Sequence, residues 1–571
     1  MTGAARYLTG HPRLTQAMDR LRALRARPRL MAALSGLLIG FAQPPFGFVP
    51  GLLGYALLLW VLEADLVPMP DLMARLFKNR ARQNKKPKRQ PDPVKSRYAQ
   101  AFFIGWLAAF TYYLVSCFWV AEAFLVDAAT YGWMAPFAVT LLPMGLGLFW
   151  GLFGVLYVWL KPEGPRRLLF FAALFSVFEM VRGMALSGFP WDLSGETWKA
   201  GSALSQTAAI TGVYGLGFLT VAMFASPAVV RIDRGWKGAW PVLAAVALFV
   251  VCFAGGETRL LTTRMTDTQT LVRIVQPAVG QKAKWTHSAF GTLFGAYVSM
   301  TRAPSPGGGR TPDIVVWPEG ALPYTIEDIF SSDAWTAPVM DELLSNNQTL
   351  IMGTSRQDGE DHGQAIWRNS MMIMHRLNGR TQVDGFYDKF KLVPFGEFTP
   401  PVLDMLGFKA LTHLDDGFTA GPRTQPISIA GLPRFLPLIC YEGIFPSLDT
   451  TVYRTANDPR RPYFITNISN DAWFGATSGP LQHLNMASYR SIEEGLPMIR
   501  STPTGVSAMI DPLGRVKQGS RIGLGERGFR DVLVPARIAP TFYSSNRWLF
   551  MCLIALILIG SCVRVKKNLG R

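Results

Sequence analysis

Apolar residues are distributed along this chain in two different ways. Between about residues 30 and 256 they form long runs, at 30–43, 48–65, 100–122, 133–160, 167–185, 205–230 and 238–256, and one more run occupies 548–562. A helix needs about 20 apolar residues to cross a hydrocarbon layer of about 30 Å, so these runs predict about eight membrane spans. The first two are short and are joined by Gln43-Pro44-Pro45-Phe46-Gly47, which predicts either a two-span hairpin or a re-entrant loop. From about 268 to 540 the pattern changes to brief apolar stretches bounded by turn residues. Leu271–Val275, Asp313–Trp317, Thr349–Met352, Met371–Met374, Phe435–Cys440 and Tyr463–Ile468 predict buried strands. Helical stretches fall between some of them, at Pro338–Leu344, whose proline suits a first helical position, and at Gln482–Glu494. Ala303–Pro312 reads as a surface loop. Strands alternating with helices predict an α/β domain whose sheets are covered by helices.

Charge orients this arrangement. A length of 571 residues exceeds one ordinary core, so at least two domains are expected. The formal net charge of +18 does not signal nucleic acid, because Lys and Arg cluster beside the apolar runs, as membrane orientation requires. Arg13, Arg20, Arg22, Arg25 and Arg27 mark residues 1–28 as a basic cytoplasmic leader. The loop at 75–98, with Lys78, Arg80, Arg82, Lys85, Lys86, Lys88 and Arg89, reads as a solvated cytoplasmic segment able to touch anionic lipid heads. Residues 161–167 and 231–237 are also basic, whereas 123–132 and 186–204 are nearly free of Lys and Arg. The basic loops then face the cytoplasm and the polar domain lies on the opposite side. The expected organisation is the leader 1–28, a membrane domain 29–256 with about seven spans, a polar domain 257–540, a transmembrane helix 547–563 and a basic cytoplasmic tail 564–571.

Three places in the polar domain carry chemistry. Cys440 is the only one of five cysteines (117, 252, 440, 552 and 562) outside the long apolar runs. It ends an apolar strand, has no local disulfide partner, and is followed by Tyr441 and Glu442. A buried structural thiol is the alternative, since free Cys packs as a small hydrophobe. The strand Ile314-Val315-Val316 leads through Trp317-Pro318 to Glu319, and Lys389 precedes Glu397 across Pro394-Phe395-Gly396. A thiol at pH 7 is mostly protonated, so a nucleophilic Cys440 needs a base or a cation beside it. Glu319 can take the proton if partly desolvated, Lys389 can stabilise a thiolate and an oxyanion, and Glu397 can orient Lys389 or hold a second proton.

Trp317-Pro318-Glu319, Lys389 with Pro394-Phe395-Gly396-Glu397-Phe398, and Cys440-Tyr441-Glu442 together resemble the nitrilase superfamily. That resemblance implies a Glu–Lys–Cys catalytic set, Glu319, Lys389 and Cys440, on an αββα sandwich. Seven spans before such a domain and one after it narrow the likeness to the apolipoprotein N-acyltransferases, as do Asn467-Ile468-Ser469-Asn470-Asp471-Ala472-Trp473-Phe474-Gly475, Gly479 to His483, Glu179, Arg182 and Gly188-Phe189-Pro190-Trp191. The resemblance implies acyl transfer from a membrane phospholipid, through a thioester on Cys440, to the free amine of a diacylglyceryl-cysteine on an apolipoprotein. It implies a monomeric, multi-pass protein of the bacterial inner membrane with a periplasmic catalytic domain and no cofactor. Glu397, Tyr441 and Glu442 carry over as supporting residues, and Trp285 as a mobile-loop aromatic touching lipid. Thr502-Pro503-Thr504 departs from the family's pattern, and the basic loop at 75–97 is an elaboration of it.

Other readings stand beside this one. A membrane-tethered nitrilase-type amidase would resolve the thioester with water. A Cys–His enzyme would use His375, His413 or His483 within reach of Cys440. A non-catalytic scaffold would form no thioester at all. Metal catalysis lacks ligand spacing, since no His/Cys cluster and no His-Glu-x-x-His occurs.

Overall fold

The computed structural model describes residues 27–64, 93–232, 235–280, 287–361, 364–399, 417–429 and 431–562. Residues 1–26 of the predicted leader, most of the 75–98 loop, Trp285, His413 and the tail 564–571 lie outside these. Among the described residues four helices are long and apolar enough to cross a membrane: Ser96–Ser116, Ala128–Leu160, Leu204–Val230 and Gly238–Thr262. Pro28–Ala42, Val49–Leu62 and Leu549–Ser561 are apolar but shorter. Each of the eight predicted runs therefore falls on a helix, but only half reach spanning length and apolarity. The 15 residues of Pro28–Ala42 extend about 22 Å at 1.5 Å per residue, less than the hydrocarbon thickness. Arg166–Met184 has 19 residues but buries Glu179 and Arg182 in its last turns. The first two helices pack as an antiparallel hairpin. A Cβ on Gly51 would strike the Leu38 carbonyl and one on Gly54 that of Ser35, so glycine permits the close approach.

The polar domain holds two sheets. The first runs β10-β1-β2-β3-β4-β5, with β1 Asp267–Gln276, β2 Ile314–Val316, β3 Thr349–Asp361, β4 Gln364–Leu377, β5 Arg380–Asp388 and β10 Gly528–Pro535. Its centre, β1-β2-β3, is parallel; β10, β4 and β5 add antiparallel. The second sheet runs β6-β7-β8-β9, with β6 Phe435–Ile439, β7 Phe464–Ile468, β8 Met498–Ser501 and β9 Ala508–Ile510. Strand alternation assigns each residue its layer. Val272, Ile274, Ile314, Val316 and Ile351 meet Phe435, Ile439, Phe464, Ile468 and Ile499 between the sheets. Val275, Val315 and Leu350 face outward onto Phe294, Tyr297, Met340 and Leu344 of the covering helices. The outer face of the second sheet, Leu436, Leu438, Ile465 and Met498, packs on Met486, Tyr489 and Ile492 of the helix Gly479–Glu494, and this core continues into the membrane helices. The layers are thus helix, sheet, sheet, helix, the last layer shared with the membrane bundle.

The predicted strands are all present in part, but β5, β8, β9 and β10 were not anticipated, nor was the helix His287–Arg302. Pro338 sits third in the short helix Thr336–Asp341 rather than first. Predicted helix Gln482–Glu494 begins three residues earlier, at Gly479, with Pro480 in its first turn.

Helix Gly479–Glu494 is bolted to the membrane side by polar contacts. Gln482 Oε1 accepts from the indoles of Trp119 (3.0 Å) and Trp191 (3.1 Å). Tyr489 donates to the Gly195 and Trp198 carbonyls at 2.9 and 2.6 Å. Glu493 Oε1 accepts the Val213 N–H at 2.8 Å. That N–H is free because Gly212 breaks its helix with φ 66° and ψ 172°, a conformation natural to glycine.

Candidate active site

Four chain segments meet at one end of the sandwich. Glu319 follows β2, with its loop sewn to β3 by Trp317 N–H to the Ile351 carbonyl (2.9 Å) and Gly353 N–H to the Pro318 carbonyl (3.1 Å). Gly353 is required there, since a Cβ would stand 2.4 Å from Glu319 Cα. Lys389 directly follows β5, its backbone N–H bonded to the Asn369 carbonyl on β4 (2.9 Å). Glu397 closes the turn that begins at Val393, whose N–H donates to Glu397 Oε2 at 2.8 Å. Cys440 follows β6 at a left-handed φ of 49° and opens the short helical turn Cys440–Ile444. A β-branched or bulky side chain would resist that φ, so the sulfur is held out of the strand by local strain.

The charges are hidden and interlocked. Lys389, 1% exposed, donates to Glu319 Oε1 at 3.0 Å and to Glu397 Oε1 at 2.8 Å. Asn369 spends its amide on the same two oxygens, at 2.8 and 2.6 Å. Glu397 therefore has both oxygens engaged, whereas Glu319 Oε2 has no hydrogen-bond partner among the described residues. Burial works to strip the proton from Lys389, but Glu319, Glu397 and the nearby Cys440 outweigh it and hold its pKa well above the ordinary range. Burial pushes the Cys440 thiol well up, Glu319 adds to this and Lys389 opposes it. Burial thus works against the thiolate, while the Lys389 ammonium nearby works for it, and Glu319 keeps one oxygen free of hydrogen bonds among the described residues.

Glu442 is fully buried and braces the two sheets. It accepts from the Tyr387 hydroxyl (2.8 Å), the Phe390 and Lys391 N–H groups (2.8 and 3.2 Å) and the Ile439 N–H (2.8 Å). Burial raises its pKa, with those donors opposing. The lysine segment and the cysteine turn are thus tied to one carboxylate. Tyr441 is buried and donates to the Gly188 carbonyl at 2.6 Å, joining the cysteine turn to the membrane side. Arg182 donates to the Phe189 and Trp191 carbonyls at 2.6 and 2.9 Å and lies 3.9 Å from Glu179, so it shapes the same loop.

The structure brings together Glu319, Lys389, Glu397, Cys440, Tyr441 and Glu442; Trp285 lies outside the described residues. Of the candidate histidines, His375 pairs with Asp384 on the neighbouring strand. His483 meets the backbone carbonyl of Cys440, at 3.2 Å, rather than the sulfur. Asn369 was missed, because a lone Asn inside the strand pattern of β4 carries no motif of its own. Thr502-Pro503-Thr504 fits without disruption: the Pro503 carbonyl accepts the Ala278 N–H and the Thr504 carbonyl accepts the Gly525 N–H. Among the described residues no His/Cys/Asp/Glu group has the arrangement to hold a metal.

Comparison with known proteins gives the same two-part division. Residues 89–226 match the apolipoprotein N-acyltransferase N-terminal domain, and residues 274–534 match the carbon-nitrogen hydrolase family. The chain is 42% identical over 544 residues to an apolipoprotein N-acyltransferase of Caulobacter vibrioides, covering 95% of each. It is 34% identical over 528 residues to one of Rhodopseudomonas palustris, covering 90% of this chain and 91% of that one. A third, from Rhizobium rhizogenes, is 34% identical over 543 residues, covering 93% and 95%.

Proposed function

The chain belongs to the apolipoprotein N-acyltransferase family, and on that premise we propose that it N-acylates lipoproteins in two steps, through a thioester on Cys440. Glu319 takes the Cys440 proton and the sulfur attacks the ester carbonyl of a phospholipid. The Lys389 ammonium stabilises the oxyanion, as preorganised donors do in a water-poor site. Collapse breaks the ester C–O bond, and Glu319 returns the proton to the departing lysophospholipid. The α-amine of a diacylglyceryl-cysteine then attacks the thioester, loses a proton through Glu319, and the sulfur leaves to regain it. Near its ordinary pKa of about 7.7–8.0, that amine is appreciably nucleophilic at neutral pH.

One observation carries the division of labour. Glu319 keeps an oxygen unengaged while Glu397 has none, so Glu319 is the proton carrier and Glu397 the residue that fixes Lys389. Glu442 and Tyr441 hold the nucleophile's turn against the lysine segment and the membrane side. Both substrates keep their acyl chains in a bilayer, and the helices on either side of the catalytic domain tether it there. We place it on the periplasmic face of the inner membrane, with all eight apolar helices embedded, both ends cytoplasmic, the chain monomeric, and Trp285 touching lipid.

The experiment is intact-mass spectrometry after incubation with phospholipid, followed by addition of a diacylated lipopeptide. One acyl chain on Cys440, discharged by the lipopeptide amine, is the expected result. Absence of any adduct overturns the thioester route. Discharge by water at the same rate without lipopeptide favours an amidase-like hydrolase.

A further inference from the structure

The sequence motif from Asn467 to Gly475 and the histidine at 483 are not used by the acyl-transfer scheme, yet they converge on its nucleophile. His483 is buried, with Nδ1 2.9 Å from Asp471 Oδ1 and Nε2 3.2 Å from the Cys440 carbonyl oxygen. Asp471 is itself fully buried and accepts from Ser469 Oγ at 2.7 Å and from Arg500 Nη2 at 3.1 and 2.9 Å. Those donors keep it ionised, its pKa well below the carboxylate range despite burial. Neither the Asp471 carboxylate nor a backbone carbonyl has a proton to give. A neutral imidazole donates through one nitrogen only, so both contacts are hydrogen bonds at once only when both nitrogens are protonated.

The carbonyl it reaches belongs to the strained residue. Cys440 has φ 49°, and its peptide carbonyl fixes how the following turn presents the sulfur. We propose that His483 is a positioning residue, strung between Asp471 and the Cys440 carbonyl, that holds the nucleophile's left-handed turn in its attacking orientation. This rests on the reading of Cys440 as the nucleophile.

The groups facing the ring are Asp471 and Arg500, the Cys440 turn, and the rings of Trp191 (5.8 Å) and Phe474 (5.7 Å). Burial and Arg500 lower the ring's pKa, while Asp471 and the Cys440 carbonyl raise it; the net direction is down. The clamp is therefore engaged on the acid side and loosens as pH rises.

Two isosteric substitutions separate the ring's two contacts. His483→Gln keeps a donor near the Nε2 position and loses the Asp471 contact; His483→Asn keeps the Nδ1-side contact and loses the carbonyl. Thioester formation on Cys440, followed by rapid-quench intact mass at saturating phospholipid, is expected to slow about tenfold to hundredfold in His483→Asn, the range for one lost charge-assisted hydrogen bond. His483→Gln recovers most of that loss, KM for phospholipid stays put in both, and the wild-type to His483→Gln rate ratio falls as pH rises. Equal rates in both variants, or His483→Asn faster than His483→Gln, overturns the clamp. If neither variant folds, ¹⁵N-histidine spectra of the wild type decide: a ring protonated at both nitrogens on the acid side supports it, and a ring protonated at only one nitrogen throughout overturns it. Failure of the wild type to form a thioester at all instead sinks the nucleophile assignment.

Discussion

Two buried charge clusters lie on either side of the second sheet, and they are built to different standards. Around Cys440, one ammonium stands between two carboxylates, and an amide from Asn369 bridges the same oxygens. Along the seam with the membrane side, Arg490 lies 3.0 Å from Glu493 and 3.8 Å from Glu196, and Arg182 lies 3.9 Å from Glu179. There, Glu179 Oε2, Glu196 Oε1, Glu493 Oε2 and the Nε and Nη2 atoms of Arg182 and Arg490 lack a hydrogen-bond partner among the described residues. Buried charges are costly unless paired and bonded. The cluster around Lys389 is satisfied except at Glu319 Oε2, the atom that the proposed proton transfer uses. The seam spreads its shortfall over many atoms, which suits a joint that fixes two domains rather than moves a proton.

The sharpest test of this contrast is Cys440→Ser, expected to abolish the acyl adduct in intact mass while leaving the melting temperature unchanged. Lys389→Ala comes next, with thioester formation slower by about 10²–10³, the scale of a lost oxyanion donor. Turnover at the wild-type rate would remove Lys389 from the mechanism and make its cluster merely structural. Glu493→Leu strips Arg490 of its nearest partner and leaves the Val213 N–H unbonded. Removing one member of a buried pair costs about 3–5 kcal/mol, to be read from denaturant unfolding in detergent. Thioester formation per folded molecule should hold. Loss of rate without loss of stability would erase the distinction between the clusters.

Asn369→Leu is expected to slow acylation about tenfold, since it frees Glu319 and Glu397 from their shared donor. A further test concerns pH at the seam. Burial raises the Asp192 pKa to about 7 from 3.8, opposed by the Ser116 hydroxyl and Arg182. The native state then binds a proton that the unfolded chain has released between those values, so stability declines as pH rises through this window. Asp192→Asn should flatten that decline in melting temperature between pH 4 and 7; an unchanged slope would assign it to another group.

Much of the fold was legible because short-range patterns carry it. The strand Phe435–Ile439 is a continuous apolar run, buried on both faces, and its end at Cys440 follows from the polar residues beyond it. Met498–Ser501 and Ala508–Ile510 were not legible as strands. They are short, and their burial comes from neighbours in the second sheet rather than from their own pattern. Four of the eight apolar runs proved too short or too charged to meet spanning criteria alone, because packing against the polar domain lets helices such as Arg166–Met184 carry buried Glu179 and Arg182.

Sequence alone determined which residue types sit at strand ends and where long apolar runs flank the polar domain, since both depend on periodicity within a few residues. It also marked Cys440 as the one cysteine outside the long apolar runs. Only the tertiary structure decided that Lys389 joins Glu319 across 70 positions, that Asn369 bridges Glu319 and Glu397, and that His483 grips a carbonyl instead of the sulfur. Hydrogen bonds need donors and acceptors within about 3 Å, and that proximity is set by how two sheets stack.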